Sequence, residues 1–436
     1  MSNADVLIIG AGAAGLMAAH TLAKAGKKII VLEALNRTGG RIHTVDDTVF
    51  FKHAELGAEF VHGDLPVTLS LLNEAGITYR PAGGEMWQYR DGTFTKNAGM
   101  VEGWDLLMEK LNALQEDMNL DEFLKQYFAD VKFEALKESV RKFAAGYDTS
   151  DPSRVSTLAL RNEWNNEDEG AQHRIDGGYC HLIQYLVSSI KQAGGTLLLN
   201  APVARVQWQF GQATAVTADN ESFNAPKIIF ALPLGVWQAP ADAKGAITFE
   251  PAVPDQMQAL RRLGFGAIIK ILLQFDEAFW EDAATEELAG KSLANMGFLF
   301  SDEAVPTWWT QAPEHSTLLT GWLGGPAAAE WKDKSDEEIL IESLQSLAHI
   351  FNRSPEALRE KLQACHVANW TAEPYIYGSY AYDTVDTINA LQVLNKHVDN
   401  TLYFAGEFMY QGPAMGTVEA ALTSGKYTAE KVLKYG

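Results

Sequence analysis

The chain has 436 residues, enough for two or three domains, and 47% of them are hydrophobic, enough for large cores. Its 35 Lys and Arg against 56 Asp and Glu leave a net charge of −21, which argues against nucleic acid or an anionic membrane surface as partner and draws cationic ligands from a distance. The two cysteines, Cys180 and Cys365, offer neither a disulfide framework nor metal-ligand spacing, so no metal is expected and each reads as a small packing residue.

The opening MSNADVLIIGAGAAG has no basic stretch before its apolar run and is broken by glycines, so it does not read as a signal peptide. No apolar run approaches the roughly 20 residues that cross a bilayer. A cytoplasmic location with no membrane contact is the simplest expectation. In chain order, Asp5 to Ile9 is a strand, Ala13 to Ala25 a helix and Lys28 to Leu32 a second strand, a βαβ start. Pro66 to Ala75 is predicted helical, as is most of Gly103 to Gly146. Ser156 to Gly170 is polar and predicted to be loop-rich. A helix opens at Gly177-Gly178 and runs through Gln192. Strands are predicted over Thr196 to Leu199, Val203 to Gln209, Ala213 to Ala218, Lys227 to Ala231 and Ala267 to Phe275. Asp336 to Phe351 is an amphipathic helix, Leu402 to Ala405 a last buried strand and Thr417 to Leu433 a last helix.

Chemistry begins at Gly10-Ala11-Gly12-Ala13-Ala14-Gly15, between the first strand and first helix. Gly10 permits the tight turn, Gly12 lets a pyrophosphate approach the backbone, and Gly15 lets the helix pack on the sheet. The helix N-terminus, with Ala14 in its first turn, offers free N–H groups and a partial positive charge to phosphates. Glu33 comes 18 residues after Gly15, at the end of the second strand beside Ala34, placed to accept from ribose hydroxyls. Gly40 allows another close approach, and Arg41 offsets pyrophosphate charge.

The segment VLIIGAGAAGLMAAHTLAKAGKKIIVLEALNRTGGRIHT resembles the opening of the flavin-containing amine oxidases, the family of monoamine oxidases, polyamine oxidases and lysine-specific histone demethylase. The same opening occurs in phytoene desaturases and protoporphyrinogen oxidases, so by itself it implies FAD, not an amine. The resemblance implies an α/β fold, with a discontinuous Rossmann-like, glutathione-reductase-like FAD-binding domain over 1–80, 175–245 and 370–436. An inserted α+β substrate-binding domain of mixed sheet and helices would occupy 81–174 and 246–369.

Leu56-Gly57-Ala58-Glu59-Phe60-Val61-His62-Gly63 resembles the family segment that passes the flavin ring, placing Gly57, Ala58 and Glu59 at the cofactor and His62 near the substrate amine. Asn200 to Val206 resembles the family's second flavin segment, where the main chain of Val203 would hold the adenine. Lys270 lies within Ile268-Ile269-Lys270-Ile271-Leu272-Leu273, where a cation is costly to bury unless paired. The family carries a lysine here that holds a water against flavin N5. Trp370-Thr371-Ala372-Glu373-Pro374-Tyr375-Ile376-Tyr377-Gly378-Ser379-Tyr380 resembles the family's W-x₃-P-Y-x₂-G-S-Y. There Trp370 and Tyr375 pack near the flavin, and Tyr380 is a wall facing the substrate nitrogen, an aromatic surface suited to an amine. Ser379 stands where monoamine oxidases carry a flavin-bonding cysteine, so non-covalent FAD is implied. At Leu402 to Glu407 and Gly412 to Ala420 the resemblance places Gly406 and Glu407 at the ribityl and pyrophosphate side. Gly416, Thr417 and Val418 would sit at the opening of a helix aimed at the flavin ring. Monoamine oxidases place a second tyrosine at the position of Pro413 or Ala414, which this chain lacks; Tyr410 is the available substitute.

The function implied is oxidation of a monoamine or polyamine by hydride transfer to flavin N5, with O2 reoxidising the flavin to give hydrogen peroxide and the imine hydrolysing to a carbonyl compound. The partners implied are a small-molecule amine and O2, with the chain a monomer or homodimer. Asp117, Glu163, Glu167, Asp168 and Glu169 are candidates to meet distal ammonium groups of a polyamine. Two rivals share the fold: an L-amino-acid oxidase, which needs a carboxylate clamp drawn from Arg161, Arg174, Arg261 or Arg262, and a desaturase acting on a lipid-like substrate. A non-catalytic flavoprotein is disfavoured by Lys270 and Tyr380. Histone demethylation is disfavoured because the sequence shows no nucleosome-binding or long coiled-coil insertion.

Overall fold

The computed structural model describes residues 2–46, 50–63, 65–96, 101–166, 172–412 and 414–435. Four short apolar runs, Val6–Ile9, Ile29–Leu32, Lys227–Phe230 and Leu402–Phe404, are buried along their whole length. Such runs suit a parallel sheet covered on both faces. With Thr196–Leu198 they form one, in the order Thr196–Leu198, Ile29–Leu32, Val6–Ile9, Lys227–Phe230, Leu402–Phe404. Side chains alternate across it: Val6 and Ile8 meet the helices Ala13–Lys24, Cys180–Gln192 and Val418–Lys434, whereas Leu7 and Ile9 meet a second layer. That layer is the hairpin sheet of Val203–Gln209, Gln212–Thr217 and Ser222–Ala225. Thr248–Glu250 adds a parallel strand to it, and Val253, Ala259, Leu260 and Leu263 join the same core. Apolar residues as far along the chain as Leu263 are buried in the same core.

A seven-stranded mixed sheet forms the other half, in the order Leu362–Ala368, Ile268–Phe275, Leu318–Gly324, Thr307–Trp309, Met296–Ser301, Glu85–Arg90, Thr93–Lys96. Ile269, Ile271, Leu273 and Phe275 face the core under helix Asp336–Ile350. Period two then turns Ile268, Lys270 and Leu272 to the opposite face, where Ile268 and Leu272 pack with Leu56, Trp370 and Ile376. The strand's alternation thereby points Lys270 at the first half of the molecule. Sequence reading named no strand or helix between 276 and 335, where three of these strands lie.

A helical block, Trp104–Ala113, Leu120–Tyr127, Glu134–Gly146 and Thr157–Asn166, closes over a separate core built on Leu107, Phe123, Phe128 and Val140. Its last helix corrects the loop expected over Ser156 to Gly170. Asp117 accepts from Ser156 Oγ at 2.7 Å and Leu158 N at 3.2 Å, satisfying the helix start from about forty residues upstream. Among the described residues no helix is long and apolar enough to cross a membrane.

The last helix lies almost on the backbone of the first. A Cβ on Gly425 would stand 2.1 Å from the Ala14 carbonyl oxygen. Gly425→Ala is therefore expected to destabilise the fold by about 1–3 kcal/mol, the usual cost of overpacking, read as a lower urea midpoint; an unchanged midpoint would mean the two helices are not locked together.

Candidate active site

The carboxyl ends of the parallel strands open into a cavity of about 1110 Å³, the end of the sheet where open α/β folds bind ligands. Gly10 has φ +102°, and a Cβ there would meet the Ala231 carbonyl oxygen at 2.6 Å. A Cβ on Gly15 would stand 2.0 Å from the Gly10 oxygen, so Gly15 is demanded by helix-on-strand packing. Gly12 differs. Its φ is −74°, and no protein atom lies within 4 Å of where a Cβ would stand. The protein itself does not require glycine there; a group occupying that space would.

Helix Ala13–Lys24 starts at Gly12 with no side-chain cap and no acidic residue in its first turn. Its free N–H groups and positive dipole end are left for an anion. Glu33 accepts from Ala11 N at 2.6 Å and Leu35 N at 2.9 Å. Burial lifts its carboxyl above the ordinary range against the pull of these two N–H groups. A carboxylate has about four acceptor positions, and two are used, so Glu33 retains capacity for hydroxyls on the cavity side. These residues fit a dinucleotide.

Of the residues singled out in the sequence, Gly10, Gly12, Ala14, Glu33, Ala34, Gly40, Arg41, Gly57, Ala58, Glu59, His62, Val203, Lys270, Trp370, Tyr375, Ser379, Tyr380, Gly406, Glu407, Gly416, Thr417 and Val418 all line this one cavity. Gly15 does not. Three stretches far apart in the chain are fastened together at Arg41, whose Nη1 donates to Glu407 Oε1 at 2.9 Å and to the Ser379 carbonyl. Glu407 also accepts from Ala381 N at 3.2 Å. Trp370 Nε1 donates to the Leu56 carbonyl at 2.8 Å, and a Cβ on Gly57 would meet the Arg41 carbonyl oxygen at 1.8 Å. Tyr375 and Tyr377 both adopt positive φ, at 68° and 58°. Such backbone in a non-glycine residue is strained and clusters at functional sites.

Lys270 is buried, and it has its counter-charge. Its Nζ donates to Glu59 Oε2 at 2.7 Å and to the Gly57 carbonyl at 3.2 Å, 5.3 Å above the Trp309 ring. Glu59 also accepts from Arg174 Nε at 3.0 Å and from Trp309 Nε1 at 3.1 Å. Burial opposes the charge on Glu59, yet Lys270 and Arg174 together hold its carboxyl down to about 2. Sequence reading placed Glu59 at the cofactor; the structure commits its carboxylate to these three side chains. Arg174, named only as a possible carboxylate clamp, spends its remaining nitrogens on the Ala312 and Thr310 carbonyls.

Tyr380 forms one wall of the outer cavity. Its hydroxyl donates to the Tyr147 carbonyl, and its ring lies against Gly416, where a Cβ would approach it to 2.8 Å. Burial, then the carboxylates Asp148, Glu163 and Glu407, push its phenol well above the ordinary range, so it stays protonated. His62 is exposed to the cavity, and burial within the molecule brings its imidazole down to about 4, leaving it neutral near pH 7. The lining also includes the aromatics Trp104, Phe143 and Tyr147, the acids Asp148 and Glu163, and the cations Arg90 and Lys142, both paired with Asp302. Asp148, only 5% exposed, was not singled out from sequence; nothing in its local pattern sets it apart from a surface acid.

Other expectations are corrected. Asp117 is a helix cap and does not line the cavity. Tyr410 is not part of the lining either, and the wall contains Ala414 and Met415. Pro413, Glu167, Asp168 and Glu169 lie outside the described residues.

A family model for flavin containing amine oxidoreductase matches residues 13–433, and the chain belongs to that family. Lysine-specific histone demethylase 1 homolog 2 of Oryza sativa subsp. japonica is 26% identical over 99% of this chain, and the chain spans 57% of that protein's length. Polyamine oxidase 4 of the same organism is 25% identical, with 99% of this chain and 89% of that protein covered. A putrescine oxidase with redesigned cofactor binding shares the fold at a TM-score of 0.81, with 22% identity, 100% of this chain and 99% of that one covered.

The geometry at Gly12 separates fold from ligand. Gly12→Ala is expected to leave the thermal unfolding temperature of cofactor-free protein within about 1 °C, since ordinary backbone and open space imply less than roughly 0.5 kcal/mol. Cofactor binding, followed by flavin fluorescence quenching, is expected to weaken at least about tenfold, roughly 1.4 kcal/mol. Equal affinity in the variant would show that nothing approaches Gly12.

Proposed function

We propose that this chain is an FAD-dependent oxidase of small amines, with diamines or polyamines as its preferred class and O2 as electron acceptor. The carrying observation is one continuous cavity, from the uncapped helix at Gly12 past Lys270 to an aromatic wall at Tyr380 with Asp148 and Glu163 beyond it. FAD, when bound, supplies the two-electron acceptor for the C–N bond, O2 taking the electrons on to give hydrogen peroxide. The chain's residues supply the rest. Asp148 and Glu163 set a negative potential that favours a cationic far end of the substrate. The Tyr380 ring offers an aromatic face to the reacting nitrogen, and its hydroxyl, tied to Tyr147, keeps that face in place. Neutral His62 can accept a hydrogen bond from the N–H of an arriving amine. Water hydrolyses the imine to a carbonyl compound plus ammonia or a smaller amine.

Non-covalent FAD follows from Ser379, a hydroxyl engaged with Thr149 Oγ1 at 2.9 Å where a thiol would be needed for a covalent link. Against the L-amino-acid oxidase reading, Arg161, Arg174, Arg261 and Arg262 do not line the cavity, and the arginines that do, Arg41 and Arg90, are paired with Glu407 and Asp302.

Acid precipitation of the purified protein is expected to release all of its FAD into the supernatant; flavin retained in the pellet would contradict the role given to Ser379. A peroxide-release screen over putrescine, spermidine, spermine, tyramine, benzylamine and L-amino acids is expected to favour the diamine and polyamines. Asp148→Asn is expected to raise the KM for that best substrate about tenfold while leaving benzylamine unaffected. Preference for an L-amino acid, or an equal effect on both amines, would count against this reading. Lys270→Met is expected to slow flavin reduction by the best amine on the order of 10²-fold, and an unaltered rate would remove Lys270 from the chemistry.

A further inference from the structure

Lys270 has three N–H donors and no acceptor. Two are spoken for, one by Glu59 Oε2 at 2.7 Å and one by the Gly57 carbonyl at 3.2 Å, and Lys270 is among the residues that line the cavity. One donor is therefore left on the cavity side. Glu59 is itself immobilised by Arg174 and Trp309, through contacts from two further strands, Gln172–Ile175 and Thr307–Trp309. Arg174 is fixed in turn by the Ala312 and Thr310 carbonyls and lies 4.7 Å from the Phe60 ring. All three charged side chains are buried, Lys270 at 1%, Arg174 at 7% and Glu59 at 7% exposure. Both cations depend on Glu59, because a buried ion without its partner is far costlier than the pair.

We propose that Glu59, braced by Arg174 and Trp309, is a positioning residue for the amine oxidation: it keeps Lys270 charged and oriented so that a single donor faces the cofactor chamber. The inference rests on the proposed function of this cavity and goes beyond it, by assigning control of Lys270 to a carboxylate that does not itself meet the substrate. The groups facing Lys270 are few. Glu59 contacts it, Arg174 lies behind Glu59, and Glu55, whose carboxyl is lifted by burial to about 7, acts on it at longer range. Its neighbours in register on the flanking strands, Trp322 and Ala368, are uncharged. Removing the Glu59 charge thus leaves two buried cations and only the more distant Glu55 as counter-charge, and Lys270, unlike arginine, can shed its proton.

The test is a pH titration, from 6 to 10, of the oxidised flavin's visible absorbance and of the anaerobic rate of flavin reduction by the best amine, in FAD-loaded protein. Glu59→Gln is expected to introduce an ionisation absent from the wild type in both readouts, with reduction falling at least tenfold across it. The double variant Glu59→Gln with Lys270→Met is expected to lose that ionisation, which assigns it to Lys270. Glu59→Asp, which keeps the charge but withdraws it by one methylene, covers the case in which Glu59→Gln does not fold; it is expected to show the same ionisation at higher pH. A wild-type pH profile in Glu59→Gln or Glu59→Asp, or an ionisation that survives Lys270→Met, would overturn the proposal. Failure here is distinct from failure of the functional reading. In that case Lys270→Met alone would leave flavin reduction unaltered, or no amine would reduce the flavin at all.

Discussion

A carboxylate buried between two cations joins the halves of this molecule. Glu59 comes from the segment that runs past the parallel sheet, Lys270 from the long strand of the seven-stranded sheet, and Arg174 from a strand between them. Burying any one of these charges alone would be strongly unfavourable. Together they offset one another, with every Glu59 oxygen engaged by donors. The arrangement fixes where the two sheets meet, and the cavity lies along that junction.

The rest of the cavity follows from backbone more than from side chains. The uncapped start of helix Ala13–Lys24 presents unsatisfied N–H groups, and Gly12 leaves space beside them. The start of helix Val418–Lys434 is handled differently. Thr417 caps it, and Glu419 in its first turn accepts from Val67 N at 2.9 Å and Thr68 N at 2.7 Å, fixing the beginning of helix Pro66–Ala75 against it. Gly416, just ahead of that helix, lets the Tyr380 ring close in. Each end of the chamber is thereby shaped by a helix terminus, one left open and one locked.

Those parts of the site whose requirements are local were legible in the sequence. The turn at Gly10, the close packing at Gly15 and the acidic residue ending the second strand each follow from a few neighbouring residues, and the structure shows the stereochemical reason for each glycine. The apolar run around Lys270 made a buried cation there costly unless paired, and the family resemblance, not the run itself, favoured burial. The partner was not legible, because Glu59 is 211 residues away and nothing in its own segment distinguishes a buried counter-ion from a cofactor contact. The helix Thr157–Asn166 was missed because its sequence is polar, although Ser156 caps it locally, its Oγ accepting from Ala159 N at 3.0 Å, with distant Asp117 accepting from Leu158 N. Asp148 and the aromatic outer wall arise where the helical block meets the cavity, a juxtaposition that no periodicity encodes. Tyr410 had the right residue type at a plausible distance from Gly416, yet it does not line the chamber, because sequence spacing does not fix where a loop side chain points.

The most direct test of this account is an anaerobic spectrum of the purified, FAD-loaded protein before and after addition of spermidine. The account predicts that the visible absorbance of oxidised flavin disappears on mixing and returns when air is admitted. A correctly folded protein that takes up no FAD, or one whose flavin stays oxidised with every amine offered, would contradict it.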